Sequence, residues 1–438
     1  MTLSKLYDRV PVGLRQSALM IFGTTAGQFF SAISLIIISR VLGPTQFGQF
    51  SVGFALLLIL VRLNDLGMTI AVQKYGAQAQ SHEDANKIFS YTLKIKLLGA
   101  VVILLTGVVF GPRIAELLQF DQPIIITLAF VLSAATVLYE QLQAMLQSLH
   151  RFGQSVGANF IQAVGKFIGS VVLITTVGSA GSASASVSQV ATIGIFSWFV
   201  LAPALPVLVY RWLMPKWTSL KLVQNFSQQR ILIKSVATHA AIGFISAGVI
   251  ENIDILFVQK YLDTYEAGLL GGVSRIALLV TMMAYSLGTV LNPRVAQYKQ
   301  LEQLQAYWKK AWLVVLAACV GFVAFIPFAG MSIHYTIGPE YTSGSSVLLI
   351  LMASAFLTLA VIPFIALFFS YDVPWYFSVS GILQLMIIIG GNWYFVPLFG
   401  LEGAAWTRLA ARLVLFIFTV AVAYWSYSNM KKKQLAPV

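Results

Sequence analysis

Apolar residues run along this chain in long, nearly uninterrupted stretches separated by short polar connections. Twelve stretches stand out, near residues 17–39, 50–72, 91–110, 123–147, 155–177, 190–210, 235–259, 267–290, 311–330, 345–369, 375–396 and 402–427. Each is close to the ~20 apolar residues that a helix needs to cross a bilayer. None shows the short inside–outside alternation of a barrel strand. A backbone in lipid must satisfy its own N–H and C=O groups, so the pattern predicts an all-α polytopic membrane protein with about twelve transmembrane helices.

The basic residues fall in an ordered way between these runs. Twenty of the 28 Lys and Arg lie at the termini and on every second connection. The alternate connections hold only Arg40, Arg113 and Lys260. Cytoplasmic connections carry an excess of Lys and Arg, so this asymmetry predicts that both termini are cytoplasmic. It also accounts for the net charge of +13 without invoking nucleic acid. The composition agrees, with 58% hydrophobic and 10% charged residues and a mean hydropathy of +0.83. The first run is too long for a signal-peptide core and lacks a small-residue cleavage pattern.

The division of the runs is six plus six. An N-terminal lobe is expected over 1–212, a cytoplasmic interfacial linker over 213–234 and a C-terminal lobe over 235–438. The linker mixes Trp212, Trp217, Leu220, Leu222 and Val223 with basic residues, as an interfacial segment does. Arg40-Val-Leu-Gly-Pro-Thr-Gln-Phe-Gly48 and Lys260-Tyr-Leu-Asp-Thr-Tyr-Glu-Ala-Gly268 share a basic residue, Leu and Gly in register. That points to parallel repeats related by a pseudo-twofold along the membrane normal, an arrangement of transporters. Ser81 to Asp84 reads as a capping box that opens the third helix. The Ser-rich stretch 178–188 reads as an outer loop.

Enzymatic signals are poor. Gly153-Gln-Ser-Val-Gly157 matches a hydrolase nucleophile pattern but lies between two apolar helices instead of on a strand–turn–helix. The four histidines and Cys319 show no metal-ligand spacing. No Gly-Lys-Ser/Thr phosphate loop is present. No catalytic residue, metal or cofactor is expected.

Charges inside the runs carry more information, because such residues face a bundle interior or a wet cavity. Arg62 and Asp65 are three apart in span 2 and are expected to pair. Lys166 lies about 17 Å into span 5 by helix rise. Arg275 lies in span 8. Arg408 and Arg412 are four apart and project from one face of span 12, where an anion or a carboxylate must lie between them. Glu251 and Asp254 in span 7 are candidates to supply it. Glu140 lies toward the inner end of span 4. Lys166, Arg275, Arg408 and Arg412, with Arg62, are thus candidates to bind an anionic headgroup. Asp65, Glu251, Asp254 and Glu140 are candidates for ion coupling or charge pairing. Gly23/Gly27, Gly165/Gly169 and Gly268/Gly272 allow close helix packing.

Several further segments carry a resemblance. They are Ser39-Arg-Val-Leu-Gly-Pro-Thr-Gln-Phe-Gly-Gln-Phe-Ser51, Asp65-Leu-Gly67, Leu146-Gln-Ser-Leu-His-Arg-Phe-Gly153, Asn252-Ile-Asp254, Ile337-Gly-Pro-Glu-Tyr341 and Val396-Pro-Leu-Phe-Gly-Leu-Glu-Gly-Ala-Ala405. With these the chain resembles the polysaccharide transport family, the Wzx-type oligosaccharide-lipid flippases of the MATE-like exporter superfamily. The resemblance implies two six-helix lobes around a central cavity, alternating access, and a polyprenyl-diphosphate-linked glycan as cargo. It implies a bacterial inner-membrane location, and a glycan polymerase and export machinery as partners. A multidrug or metabolite antiporter of the same superfamily is the alternative; its cationic cargo calls for an acidic site. A membrane glycan polymerase or ligase is a third reading, disfavoured by the short outer connections.

Overall fold

The computed structural model describes residues 12–178, 185–213 and 245–435, apart from positions 80, 247, 296, 299, 372 and 374. Among the described residues every regular element is helical. Nine helices there are long and apolar enough to cross a membrane. The protein is therefore a multi-pass membrane protein built from helices. Lys5, Arg9, residues 214–234 of the linker, residues 179–184 of the Ser-rich stretch and residues 235–244 of the seventh apolar run lie outside the described residues.

Two of the helical stretches contain sharp breaks where the sequence places a connection. Val12–Asp65 is interrupted at Gly43, with φ 69° and ψ 173°, directly before Pro44. Pro44 has no N–H to continue the ladder, and a positive φ suits glycine. Trp375–Leu435 is interrupted at Gly400, with φ 59° and ψ −138°, three residues after Pro397. The first and second apolar runs meet at the former break, the eleventh and twelfth at the latter.

The second run departs from expectation. It does not continue unbroken to residue 72. The helix ends at Asp65, Leu66 and Gly67 take left-handed backbone, and a new helix spans Met68–Gln78. The Asp65 carboxylate accepts from the Thr69 N–H at 3.3 Å and from the Thr69 hydroxyl. It thereby satisfies a donor that the new helix leaves free. The expected capping box is present: Asp84 N–H donates to Ser81 Oγ at 3.1 Å, and Ser81 Oγ donates to the Asp84 carboxylate at 2.8 Å. It opens the helix His82–Leu117.

The chain folds into two compact units. The first comprises the described parts of Met1–Ser34, Leu60–Phe110 and Thr127–Ala241. Its core includes Met68, Val72, Ile88, Phe89 and Met145. The second comprises Leu35–Ile59, Gly111–Ile126 and the described parts of Ile242–Val438. One of its buried clusters gathers Tyr307, Phe364, Phe368 and Tyr376, with Phe368 and Tyr376 stacked at 3.8 Å between ring centroids.

The second unit holds Arg40, Arg113 and Lys260, the three basic residues that the sequence assigns to one side of the membrane. Close backbone approaches join its segments there. A Cβ on Gly48 would collide with the Thr264 carbonyl, and one on Gly268 with the Pro44 carbonyl. The Tyr341 hydroxyl donates to Ser39 O at 2.8 Å, and Arg40 Nη1 donates to Tyr335 O at 2.7 Å.

Candidate functional site

Five charged side chains converge in the second unit. Glu251 and Asp254 flank the start of the helix Ile253–Tyr261, where free backbone N–H groups favour negative charge. Ile255 N–H donates to Asp254 Oδ1 at 2.9 Å. Arg408 and Arg412 come from one face of Trp375–Leu435. Arg408 pairs with Asp254, whose side chain is fully buried, and donates to Glu251 O at 3.0 Å. Arg412 pairs with Glu251 and donates to Gln384 Oε1 at 2.8 Å. The Tyr285 hydroxyl adds a bond to Glu251 at 3.3 Å. The two acids therefore sit where the spacing of the two arginines called for them.

Arg275 completes this group on the helix Thr264–Val295. It is 8% exposed. Its guanidinium lies 5.6 Å from the centroid of the Phe54 ring, a cation–π contact. It interacts electrostatically with Arg408 and Asp254. Among the described residues no carboxylate lies within ion-pair distance of it, and its Nε has no hydrogen-bond partner. The Nε of Arg408 is also without one. Three guanidiniums against two carboxylates leave one positive charge uncompensated within the group. Such an arrangement holds donors ready for an oxyanion, because guanidiniums bind phosphate and carboxylate oxygens in a fork.

The first unit holds a second constellation. Here the expected Arg62–Asp65 pair is corrected. Arg62 pairs instead with Glu140 at 3.1 Å, and Asp65 pairs with Lys96 at 2.7 Å. The break after Asp65 turns that carboxylate toward Thr69 and the helix His82–Leu117, leaving Arg62 to reach Pro123–Ser148. Lys96 and Asp65 are each 1% exposed. Lys96 Nζ also donates to Thr69 Oγ1 at 2.9 Å, and Asn64 donates to Lys96 O at 3.1 Å. Glu140 interacts electrostatically with Arg62, Lys96 and Asp65, so the four charges form one network of zero net charge.

Lys166, also in the first unit, stands apart from that network. Its Nζ lies 4.6 Å from the centroid of the Phe199 ring. No carboxylate among the described residues is within ion-pair distance. The indole of Trp198 donates to Gly165 O at 2.8 Å and packs against Gly169, so the glycine pair serves close helix packing.

Lys96 is a charge that the sequence pattern does not single out, because it falls at the start of the third apolar run beside the basic residues of a connection. Sequence reasoning also missed a neutral polar column in the first unit. Gln73 donates to Gln147 at 2.7 Å, Gln143 to the Tyr139 hydroxyl at 2.8 Å, and Tyr139 to Asn159 at 3.3 Å, with Ser155 bonded to Gln143. Helical spacing of Tyr139, Gln143 and Gln147 was the available signal.

Comparison with known proteins places these residues in context. A family model described as polysaccharide biosynthesis protein matches residues 14–299. The probable low-salt glycan biosynthesis flippase Agl15 of Haloferax volcanii is 21% identical over 426 residues, covering 96% of this chain and 84% of its own. Among solved structures, a multidrug resistance MATE family transporter of the MOP superfamily, inward-facing, aligns with a TM-score of 0.72 at 15% identity, covering 95% of this chain and 99% of that one. A MOP superfamily transporter from Pyrococcus furiosus, described as having a binding pocket of reverse polarity, aligns at 0.64 with 15% identity and 95% and 96% coverage. These structures share the fold of this chain.

Proposed function

The chain belongs to the polysaccharide biosynthesis protein family, and from that membership we propose that it is a flippase. Its cargo is a polyprenyl-diphosphate-linked oligosaccharide, moved from the cytoplasmic to the outer leaflet by alternating access. The flippase named for Haloferax volcanii supports this reading. The observation that carries it is the group Arg275, Arg408 and Arg412, whose positive charge exceeds that of Glu251 and Asp254.

In this reading twelve spans form two six-helix lobes, 1–212 and 235–438, joined by an interfacial linker over 213–234, with both termini cytoplasmic in a bacterial inner membrane. Arg275, Arg408 and Arg412 supply charge-assisted hydrogen bonds to the diphosphate, while the lipid tail stays in the bilayer. The chain carries out no covalent chemistry. An inside-negative potential favours outward movement of negative charge by about 2.3 kcal/mol per charge per 100 mV. Asp65, Glu251, Asp254 and Glu140 serve ion coupling or charge pairing. A glycan polymerase and export machinery take the product onward.

The test is a translocation assay in liposomes carrying a fluorescent polyprenyl-diphosphate oligosaccharide. Purified protein accelerates transfer between leaflets, and Arg275→Ala or Arg412→Ala abolishes the acceleration. Transport of cationic dyes without movement of the lipid-linked glycan would assign the protein to drug antiport instead.

A further inference from the structure

We propose that Glu251 and Asp254 are displaceable internal anions, so that cargo and proton bind together at this site. The inference rests on the reading of the arginine group as the anion site. The two carboxylates occupy the donors that an oxyanion needs. Arg412 is held by Glu251 and Gln384, and Arg408 by Asp254 and Glu251 O. Arg275 and the Nε of Arg408 are donors that the acids leave open. The Nη2 groups of Arg408 and Arg412 are the ones the acids hold, and a diphosphate that extends from Arg275 onto them replaces the carboxylates there.

The charge balance gives the consequence. The diester diphosphate of a lipid-linked sugar carries one negative charge per phosphate, two in all. Set against the single uncompensated positive charge of the group, it leaves one excess negative charge in a largely buried place. A displaced carboxylate there has lost its guanidinium and faces phosphate oxygens. The stable outcome is its neutral acid, formed by one proton taken from solvent, with no bond to the cargo made or broken. Glu251 faces Arg412, Arg408, Tyr285 and Asp254, and Asp254 faces Arg408, Arg275 and Glu251. No basic group other than these arginines is needed for the exchange.

The sign matters for coupling. With a cationic cargo, proton and cargo compete for a carboxylate. Here the anion and the proton favour one another by linkage. A proton bound at this cluster accompanies the cargo, and any counter-transported proton uses other groups.

The experiment is calorimetric titration of the purified full-length protein in detergent with a short-chain isoprenyl diphosphate ester of N-acetylglucosamine. Neither phosphate of this diester has a second ionisation near neutral pH, so any proton exchange belongs to the protein. Runs in two buffers of different ionisation enthalpy report the protons exchanged. We expect uptake of about one proton per ligand, and affinity falling about tenfold per unit rise in pH. Glu251→Gln with Asp254→Asn should abolish the uptake and flatten the pH profile. Binding by the unaltered protein without proton uptake overturns the inference and leaves the anion site standing, a result that needs no variant to fold. Persistent uptake in the double variant also overturns it. Absence of binding at every pH overturns the anion site itself, and this inference with it.

Discussion

Lys96 and Asp65 meet at 2.7 Å with both side chains 1% exposed. Few pairs in a chain this apolar are as completely withdrawn from solvent, and the cost of desolvating two charges is recovered only while both are present. Lys96→Met leaves the Asp65 carboxylate buried beside Thr69 without its cation. Breaking a buried pair in this way costs about 3–5 kcal/mol. Adding Asp65→Asn removes the orphaned charge and should restore much of the loss. Thermal midpoints of the two variants in detergent check this; equal midpoints for Lys96→Met and the unaltered protein would show that the pair contributes nothing to the fold.

Arg275 presents the opposite case. It is buried over Phe54 and has no carboxylate within ion-pair distance among the described residues. Its removal orphans no partner and relieves the desolvation of a guanidinium. Arg275→Met should hold or raise the thermal midpoint while abolishing translocation of the lipid-linked glycan. Stability retained at the expense of activity is the signature of a functional charge. A variant that loses stability and activity together would assign Arg275 to packing.

Arg412 separates charge from geometry. It reaches Glu251 with one nitrogen and Gln384 with the other. A lysine offers a compact ammonium that cannot span both. Arg412→Lys should therefore keep the ion pair but impair transport nearly as much as Arg412→Ala. The alanine variant is expected to cost toward the lower end of about 3–5 kcal/mol, since the Glu251 side chain retains 32% exposure. Transport rates and midpoints of the two variants, measured side by side, decide the matter. Full transport by Arg412→Lys would reduce its role to charge alone.

The charge constellations were legible to different degrees, for a physical reason. Arg408 and Arg412 declare a shared face through their four-residue spacing, and Glu251 and Asp254 are close enough in sequence to be recognised as one acidic pair. Both facts are local, and in the fold each arginine pairs with one of these acids. Arg62 was misassigned because the same local rule presumes an unbroken helix, and Leu66 and Gly67 end the helix immediately after Asp65. Glu140 as its partner is a tertiary fact that no spacing encodes. Lys96 was readable after all. The capping box at Ser81 starts the helix at His82, which carries Lys96 fourteen residues, about 21 Å, along it. The helix breaks at Gly43 and Gly400 were legible because glycine and proline act locally. The polar column through Gln143 was not singled out, since amides in apolar runs carry no charge to draw attention.

The last prediction concerns the close seam in the second unit. Gly268 lies against the Pro44 carbonyl and Gly48 against the Thr264 carbonyl, so neither position has room for a side chain. Ser51, near Gly271 in the same seam, is fully buried. If this contact forms and parts during the transport cycle, small residues permit the backbones to close. Gly268→Val places branched carbons where a carbonyl now sits, and overpacking of this kind costs about 1–3 kcal/mol. The substitution should hold the seam apart, slow transport, and raise labelling of a Ser51→Cys reporter by a membrane-impermeant thiol reagent added from outside, in a background with Cys319 replaced. The unsubstituted seam should protect the reporter. Equal labelling in both backgrounds, with transport unaffected by Gly268→Val, would mean that the seam stays closed throughout the cycle and that access changes elsewhere in the molecule.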